Sequence, residues 1–294
     1  MIAMVWNELI VCYLFLAGLG AGSFLLASVT GWLSGSTKKI RLIGSVVGLA
    51  TVAVGTLLLM VDARAGLGSP ARFFGLVSNL GSPMAWGVLC LSVFLVIAAA
   101  SLIFQLAKKK VPKFIDVLGM LCSLGVATYT GVLLGAAKAY PLWNMAILPA
   151  LFVVSAALAG FSLVSAIAYF SARDELPSLT FMPKAEVVLP VLVGVLFAAL
   201  LVATAAVPGD SAHAAASLSV QRMLVGSFAS VFWIGVVVCG IVVPLVAGVC
   251  RLISKRRDVT NVGMIGYVAS CIGEFAMRYV IVMAAVSITL GAAF

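Results

Sequence analysis

Charged side chains are scarce in this sequence. Lys, Arg, Asp and Glu supply 9% of the 294 residues and hydrophobic types 64%, whereas a soluble domain carries about 25% charged and about 45–50% apolar residues. So few charges cannot cover a water-facing surface, which excludes a soluble globular protein and, given the apolar content, a disordered one. Strict apolar–polar alternation is missing too, and with it the outer-membrane barrel, whose strands alternate over about 10 residues. Histidine is nearly absent: His213 stands alone, in a predicted loop, so a haem held by paired histidines is excluded. The six cysteines, Cys12, Cys90, Cys122, Cys239, Cys250 and Cys271, form no C-x-x-C pair. Iron–sulfur and structural zinc sites need clustered thiolates, so these read as small apolar core residues. Walker A and Rossmann glycine patterns are absent from any strand–turn–helix context.

What is present is long apolar runs. A helix needs about 20 apolar residues to cross the hydrocarbon core. Eight runs qualify, at about 8–34, 40–62, 83–107, 114–136, 144–171, 185–207, 221–250 and 262–292. The expected fold is an all-α integral membrane protein of eight transmembrane helices. The first run has no Lys or Arg before it and reads as a retained helix rather than a cleaved signal peptide.

The net charge of +9 is not a nucleic-acid footprint, because the cations sit in short loops. Lys38, Lys39 and Arg41 follow the first run, Lys108, Lys109, Lys110 and Lys113 the third. Arg173 and Lys184 follow the fifth, and Arg251, Lys255, Arg256 and Arg257 the seventh, making 13 of the 18 Lys and Arg on one side. Arg64, Arg72, Lys138 and Arg222 lie on the other. The positive-inside rule puts the 13 in the cytoplasm and both termini outside.

Glycines at Gly18-Leu-Gly-Ala-Gly22, Gly44-Ser-Val-Val-Gly48 and Gly131-Val-Leu-Leu-Gly135 make small faces for close helix packing. Ala21-Gly22-Ser23 in the first run and Ala159-Gly160-Phe161-Ser162 in the fifth are alike, a short match compatible with duplication of a four-helix unit. Glu274 and Arg278 lie midway along the eighth run and on one face. Each costs about 2.5–3.5 kcal/mol at the bilayer centre. Two readings stay open for them, a structural ion pair and a proton path or ligand contact.

A second polar group gathers at the expected outer face. Asn7, Glu8 and Tyr13 open the first run and Asp62 closes the second. Tyr129 stands about 22 Å along the fourth, and Lys138, Tyr140, Trp143 and Asn144 line the loop after it. Singly, Tyr and Trp at this level make an aromatic belt. Together with the carboxylates they suit a pocket for a proton-exchanging carrier entering from lipid, such as a quinone.

Several of these segments resemble the NrfD/PsrC family, the membrane subunits of polysulfide reductase-like complexes. They are Tyr13-Leu-Phe-Leu-Ala-Gly-Leu-Gly-Ala-Gly22, Asp62, Ser69-Pro-Ala-Arg72-Phe, Ser82-Pro-Met-Ala-Trp86-Gly87, Tyr129-Thr-Gly-Val-Leu-Leu-Gly, Pro141-Leu-Trp-Asn144 and Arg278-Tyr-Val-Ile-Val. The resemblance implies two four-helix bundles, 1–137 and 138–294, with a quinone site toward the outer face of the first. It also implies a haem-free anchor in the cytoplasmic membrane, with menaquinone or ubiquinone as the carrier in respiratory electron transport, including anaerobic respiration. The implied partners are an extracytoplasmic four-cluster ferredoxin-like iron–sulfur subunit and a molybdopterin catalytic subunit. The protein would carry the quinone redox site and not the chemistry of the terminal substrate. Tyr129 matches a family tyrosine that contacts the quinone, while Tyr13 fills a position held by histidine in some members. On this reading Glu8 and Asp62 relay protons, and Asn7, Tyr13, Tyr129 and Asn144 hydrogen-bond the quinone. The rival reading is a secondary transporter working through Glu274 and Arg278. Transporter helices are often broken near the midplane, whereas Pro190 and Pro244 are placed by the sequence toward the cytoplasmic ends of their runs.

Overall fold

The computed structural model describes residues 8–33, 37–62, 83–253 and 261–288; among them the chain is helical, with no strand. The long helices are α1 (Glu8–Thr30), α2 (Lys38–Asp62), α3 (Pro83–Leu106), α4 (Lys113–Gly135), α5 (Leu148–Ser171) and α6 (Met182–Ala205). A shorter α7 (Asp210–Leu224) precedes α8 (Val231–Ile253) and α9 (Asn261–Met283). All but α7 are long and apolar enough to cross a membrane, eight spans as the sequence predicts. In a bilayer core every backbone N–H and C=O must be paired within the protein, and a helix meets that condition within its own segment.

Helix α1 is the hub. It is buried nearly all round and packs on α2, α4, α5 and α9. Its glycines explain why. Gly22 meets the backbone of Ala156 and Gly160 on α5, and a Cβ at either glycine would fall inside the other helix's main chain. The two like segments of the first and fifth runs are therefore the point where α1 and α5 cross. Gly20 also packs against Gly48 of α2, and Gly240 of α8 against Gly273 of α9. Lipid tails are as apolar as leucine, so close van der Waals packing rather than water exclusion joins such helices. The outer helices keep apolar side chains on their free faces, among them Leu57, Val96, Val195 and Ile234.

Three predicted boundaries change. The seventh run does not begin at 221. Residues 210–224 form α7, a separate amphipathic helix that buries Ala215, Ala216, Ser219 and Met223 and exposes Ser211, His213 and Gln221. Its chain enters through Gly209 at φ 96°, a left-handed conformation open to glycine. His213 is thus on a helix and not in a loop, with Nδ1 3.2 Å from the Val207 carbonyl. A search for long apolar runs passes over so polar a helix. The fifth run starts at Leu148 rather than 144, because Asn144 to Ile147 form a turn. The eighth stops at Met283.

The two prolines also move. Pro190 is well inside α6, eight residues from its start, and is buried. In α8, residues Val231–Val242 are wound as a π-helix, and the α-helical register resumes at Val243–Ile253. Pro244 has no N–H and its ring crowds the carbonyl four residues back, so it falls where the register changes.

At the lysine-rich end the α5–α6 connection holds the start of α2. Glu175, buried, accepts hydrogen bonds from the backbone N–H of Lys39 at 2.8 Å and of Ile40 at 3.0 Å. These are orphan donors of the first helical turn. Asp174 pairs with the Lys39 ammonium at 3.2 Å, and that hydrogen bond keeps the exposed Asp174 carboxyl below the usual carboxylate range.

Candidate functional site

Two tyrosines converge at the opposite end from the lysines. Tyr13 is five residues into α1 and Tyr129 six residues from the end of α4. They are 0% and 5% exposed, within one apolar cluster that includes Leu14, Leu91 and Leu133. The Tyr129 ring rests on Gly87 of α3, where a Cβ would overlap the phenol. Cys90, three residues further along α3, is an electrostatic neighbour of both phenols. Neither hydroxyl has a hydrogen-bond partner. A buried polar group left unsatisfied costs about 1–3 kcal/mol. Two hydroxyls in that condition, on different helices, are donors without an acceptor.

The remaining residues singled out from the sequence fare differently. Glu8 is exposed at the first residue of α1, about 7.5 Å along the helix and roughly 140° round it from Tyr13. The Asn144 side-chain oxygen accepts from the Ala146 N–H at 2.9 Å, within the turn that leads into α5. Asn7 and the Asp62 side chain lie outside the described residues. Trp143 is no belt residue: it is buried, stacks on Tyr140 at 4.1 Å and donates from Nε1 to the Ile281 carbonyl at 2.9 Å. It pins the α4–α5 connection to the end of α9.

Glu274 and Arg278 are paired and 1% and 0% exposed. Arg278 Nη1 donates to Glu274 Oε2 at 3.3 Å and to the Glu274 carbonyl at 3.1 Å. Nη2 donates to Ser155 Oγ on α5 at 2.8 Å, and the guanidinium lies 5.2 Å from the Phe152 ring centroid. On the third side is Gly18 of α1, where a Cβ would sit 2.6 Å from Nη2. The pair thus occupies the junction of α1, α5 and α9. Gly18 is five residues from Tyr13, about 7.5 Å along α1, so the junction lies less than two turns below the phenols.

Two further ion pairs escaped the sequence reading. Arg41 of α2 bonds Asp116 of α4, with side chains 16% and 4% exposed. Arg251 of α8 bonds Glu186 of α6, and Tyr267 of α9 joins them, accepting from Arg251 at 2.7 Å and donating to Glu186. A cavity of about 10 Å³ beside Glu186, Tyr267 and Ser270 has room for one water. Both arginines read as topology charges in the sequence. The missed signal was a carboxylate inside an apolar run, the same sign that marked Glu274. Among the described residues no group of three or more His, Cys, Asp or Glu is placed to hold a metal ion.

Eight membrane-length helices, buried ion pairs at helix junctions and a pair of unsatisfied phenols define a multi-pass helical membrane protein with a polar site at one end. The family described as "Polysulphide reductase, NrfD" matches residues 2–290, and the protein belongs to it. Among curated relatives, the C subunit of the Wolinella succinogenes polysulfide reductase is 27% identical, over 96% of this chain and 94% of that protein. The NrfD homolog of Haemophilus influenzae is 26% identical over the same shares. NrfD of Escherichia coli is 27% identical over 83% of this chain and 84% of its own length.

Proposed function

We propose that the protein is the quinone-binding membrane subunit of a respiratory oxidoreductase complex. The observation that carries this reading is the pair of buried, unpartnered hydroxyls of Tyr13 and Tyr129. A quinone head matches them chemically, with carbonyl acceptors for two donors and an apolar ring and tail for the surrounding leucines. When bound, a quinone supplies two-electron, two-proton exchange. The residues of this protein orient it and handle protons. Tyr129, its ring fixed against Gly87, donates to one carbonyl and Tyr13 to the ring system from α1. Burial excludes water, so protons travel through side chains, and Glu8 and Asp62 are the acids assigned to that exchange, with Asn7 and Asn144 as accessory contacts. The Wolinella relative is named as one component of a polysulfide reductase, which supports a multi-subunit assembly here. The proposed partners are a four-cluster iron–sulfur subunit outside the cytoplasmic membrane and a molybdopterin subunit beyond it.

The test is quinol-analogue binding to the purified protein, with quinol turnover by the assembled complex. Tyr129→Phe and Tyr13→Phe each remove one donor and keep the ring, and each should weaken binding by about 1 kcal/mol, roughly fivefold. Asp62→Asn should lower turnover more than affinity. Wild-type binding in both Phe variants would overturn the site.

A further inference from the structure

The lysine-rich end holds a feature that membrane orientation does not require. Between the start of α2 and the end of α3 lies a cavity of about 630 Å³. Six cations line it: Lys38, Lys39 and Arg41 from α2, and Lys108, Lys109 and Lys110 after α3. The carboxylates nearby are already engaged. Asp116 pairs with Arg41, Asp174 with Lys39, and Glu175 caps the backbone of α2. Among the described residues Lys38, Lys108, Lys109 and Lys110 have no acidic partner. Orienting a helix takes charge in a loop; it does not take a concave site with four unmatched ammonium groups.

A further observation points to a ligand. Lys108 has φ 56°, the one left-handed non-glycine residue among those described. It follows the last turn of α3, with Lys109 N–H bonded to the Phe104 carbonyl at 3.0 Å, a helix ending that favours glycine. A lysine held there accepts backbone strain and gives the cavity a charge. Gln105 also lines the cavity; its Nε2 donates to Ser45 Oγ at 2.8 Å and to Ser101 Oγ at 3.2 Å. On the membrane side of the rim Ile103 and Leu106 are 65% and 64% exposed.

We propose that this cavity binds the phosphate of an anionic phospholipid. The lysines take the phosphodiester oxygens, and the acyl chains run along the apolar outer surface of α3. Phosphatidylglycerol supplies such an anion. Each Lys near a membrane surface contributes about 1 kcal/mol toward anionic lipid, a factor of about five.

The test is native mass spectrometry of the purified full-length protein released from nanodiscs of equal dioleoyl phosphatidylglycerol and dioleoyl phosphatidylcholine. The two lipids share their tails, so retention reports the headgroup. Wild-type protein should keep phosphatidylglycerol over phosphatidylcholine by at least about tenfold. Lys108→Gly removes a charge and relieves the left-handed backbone, so preference should fall about fivefold while the melting temperature holds or rises. Lys109→Gln with Lys110→Gln gives a second loss without touching the turn, and the matching pair of Arg substitutions should keep the lipid. Equal retention of the two lipids, or an unchanged preference in both neutralised variants, overturns the proposal. Displacement of the lipid by millimolar inorganic phosphate or ATP would assign the cavity to a soluble phosphoanion and overturn the lipid assignment.

Discussion

At the scale of single residues, the phenols and the Glu274–Arg278 pair lie close together yet face opposite energetic demands. The Tyr13 hydroxyl is buried and unpartnered, so removing it takes away a cost when no quinone is bound. Tyr13→Phe should therefore leave thermal stability equal or higher by up to about 1 kcal/mol while weakening quinol binding, and a melting curve beside a binding isotherm checks both signs. Arg278 is the reverse case. Its two terminal nitrogens bond Glu274 and Ser155, and Glu274→Gln leaves a buried charge without its partner, at about 3–5 kcal/mol. Subunit yield should fall sharply for that variant. Glu274→Gln with Arg278→Met removes both charges and should restore much of the yield. If the pair serves only to join three helices, the assembled double variant still oxidises quinol. Normal assembly with abolished turnover would place the pair in the mechanism.

Single helices carry their information in glycines and breaks. The α1–α5 crossing depends on Gly22 and Gly160 lying backbone to backbone. Gly160→Leu would force these helices apart, with no flexible side-chain end to yield, and the strain should exceed the 1–3 kcal/mol of ordinary overpacking. The expected outcome is loss of folded subunit from the membrane. Gly125→Leu is the control, since a Cβ there meets nothing within 4 Å, and it should accumulate normally. The glycine faces on the first two runs were legible as close-packing surfaces, because four-residue spacing puts small residues on one side of a helix. Which helix each would meet was not legible, since spacing carries no partner. Helix α7 and the π-wound start of α8 were also hidden. Helix α7 is too polar to register as a span, and the π-wound segment has the same composition as any other apolar run.

For the whole molecule, the eight spans and the clustering of cations define an orientation that experiment can read. Reporter tags at either terminus should signal the outside, and a tag between Lys108 and Lys113 the cytoplasm. A cytoplasmic signal from both termini would put the Tyr13–Tyr129 end on the cytoplasmic side and undo the proposed contact with an external iron–sulfur partner. The same architecture bears on cofactors. A single histidine, on α7, gives no paired-histidine ligand set for a membrane haem, so the isolated protein should show no Soret band. A reproducible haem spectrum would contradict this.

Residue order was enough to establish the membrane class, the count of spans, and Tyr13, Tyr129, Glu274 and Arg278 as residues needing explanation. The physical reason is that burial in hydrocarbon sets a composition threshold residue by residue, so length, apolarity and each polar exception can be read in turn. The pairings came only with folding. Tyr13 and Tyr129 are 116 positions apart in the numbering, and the packing of α1 against α4 makes neighbours of them. Arg41 and Arg251 passed for loop charges until folding paired them with Asp116 and Glu186. Lys108 passed for one topology signal among four, and the turn after α3 made it part of a cavity. Contacts of this kind depend on where helices cross, and a pattern of apolar residues in lipid, where no water is excluded between helices, leaves the crossing points to backbone shape.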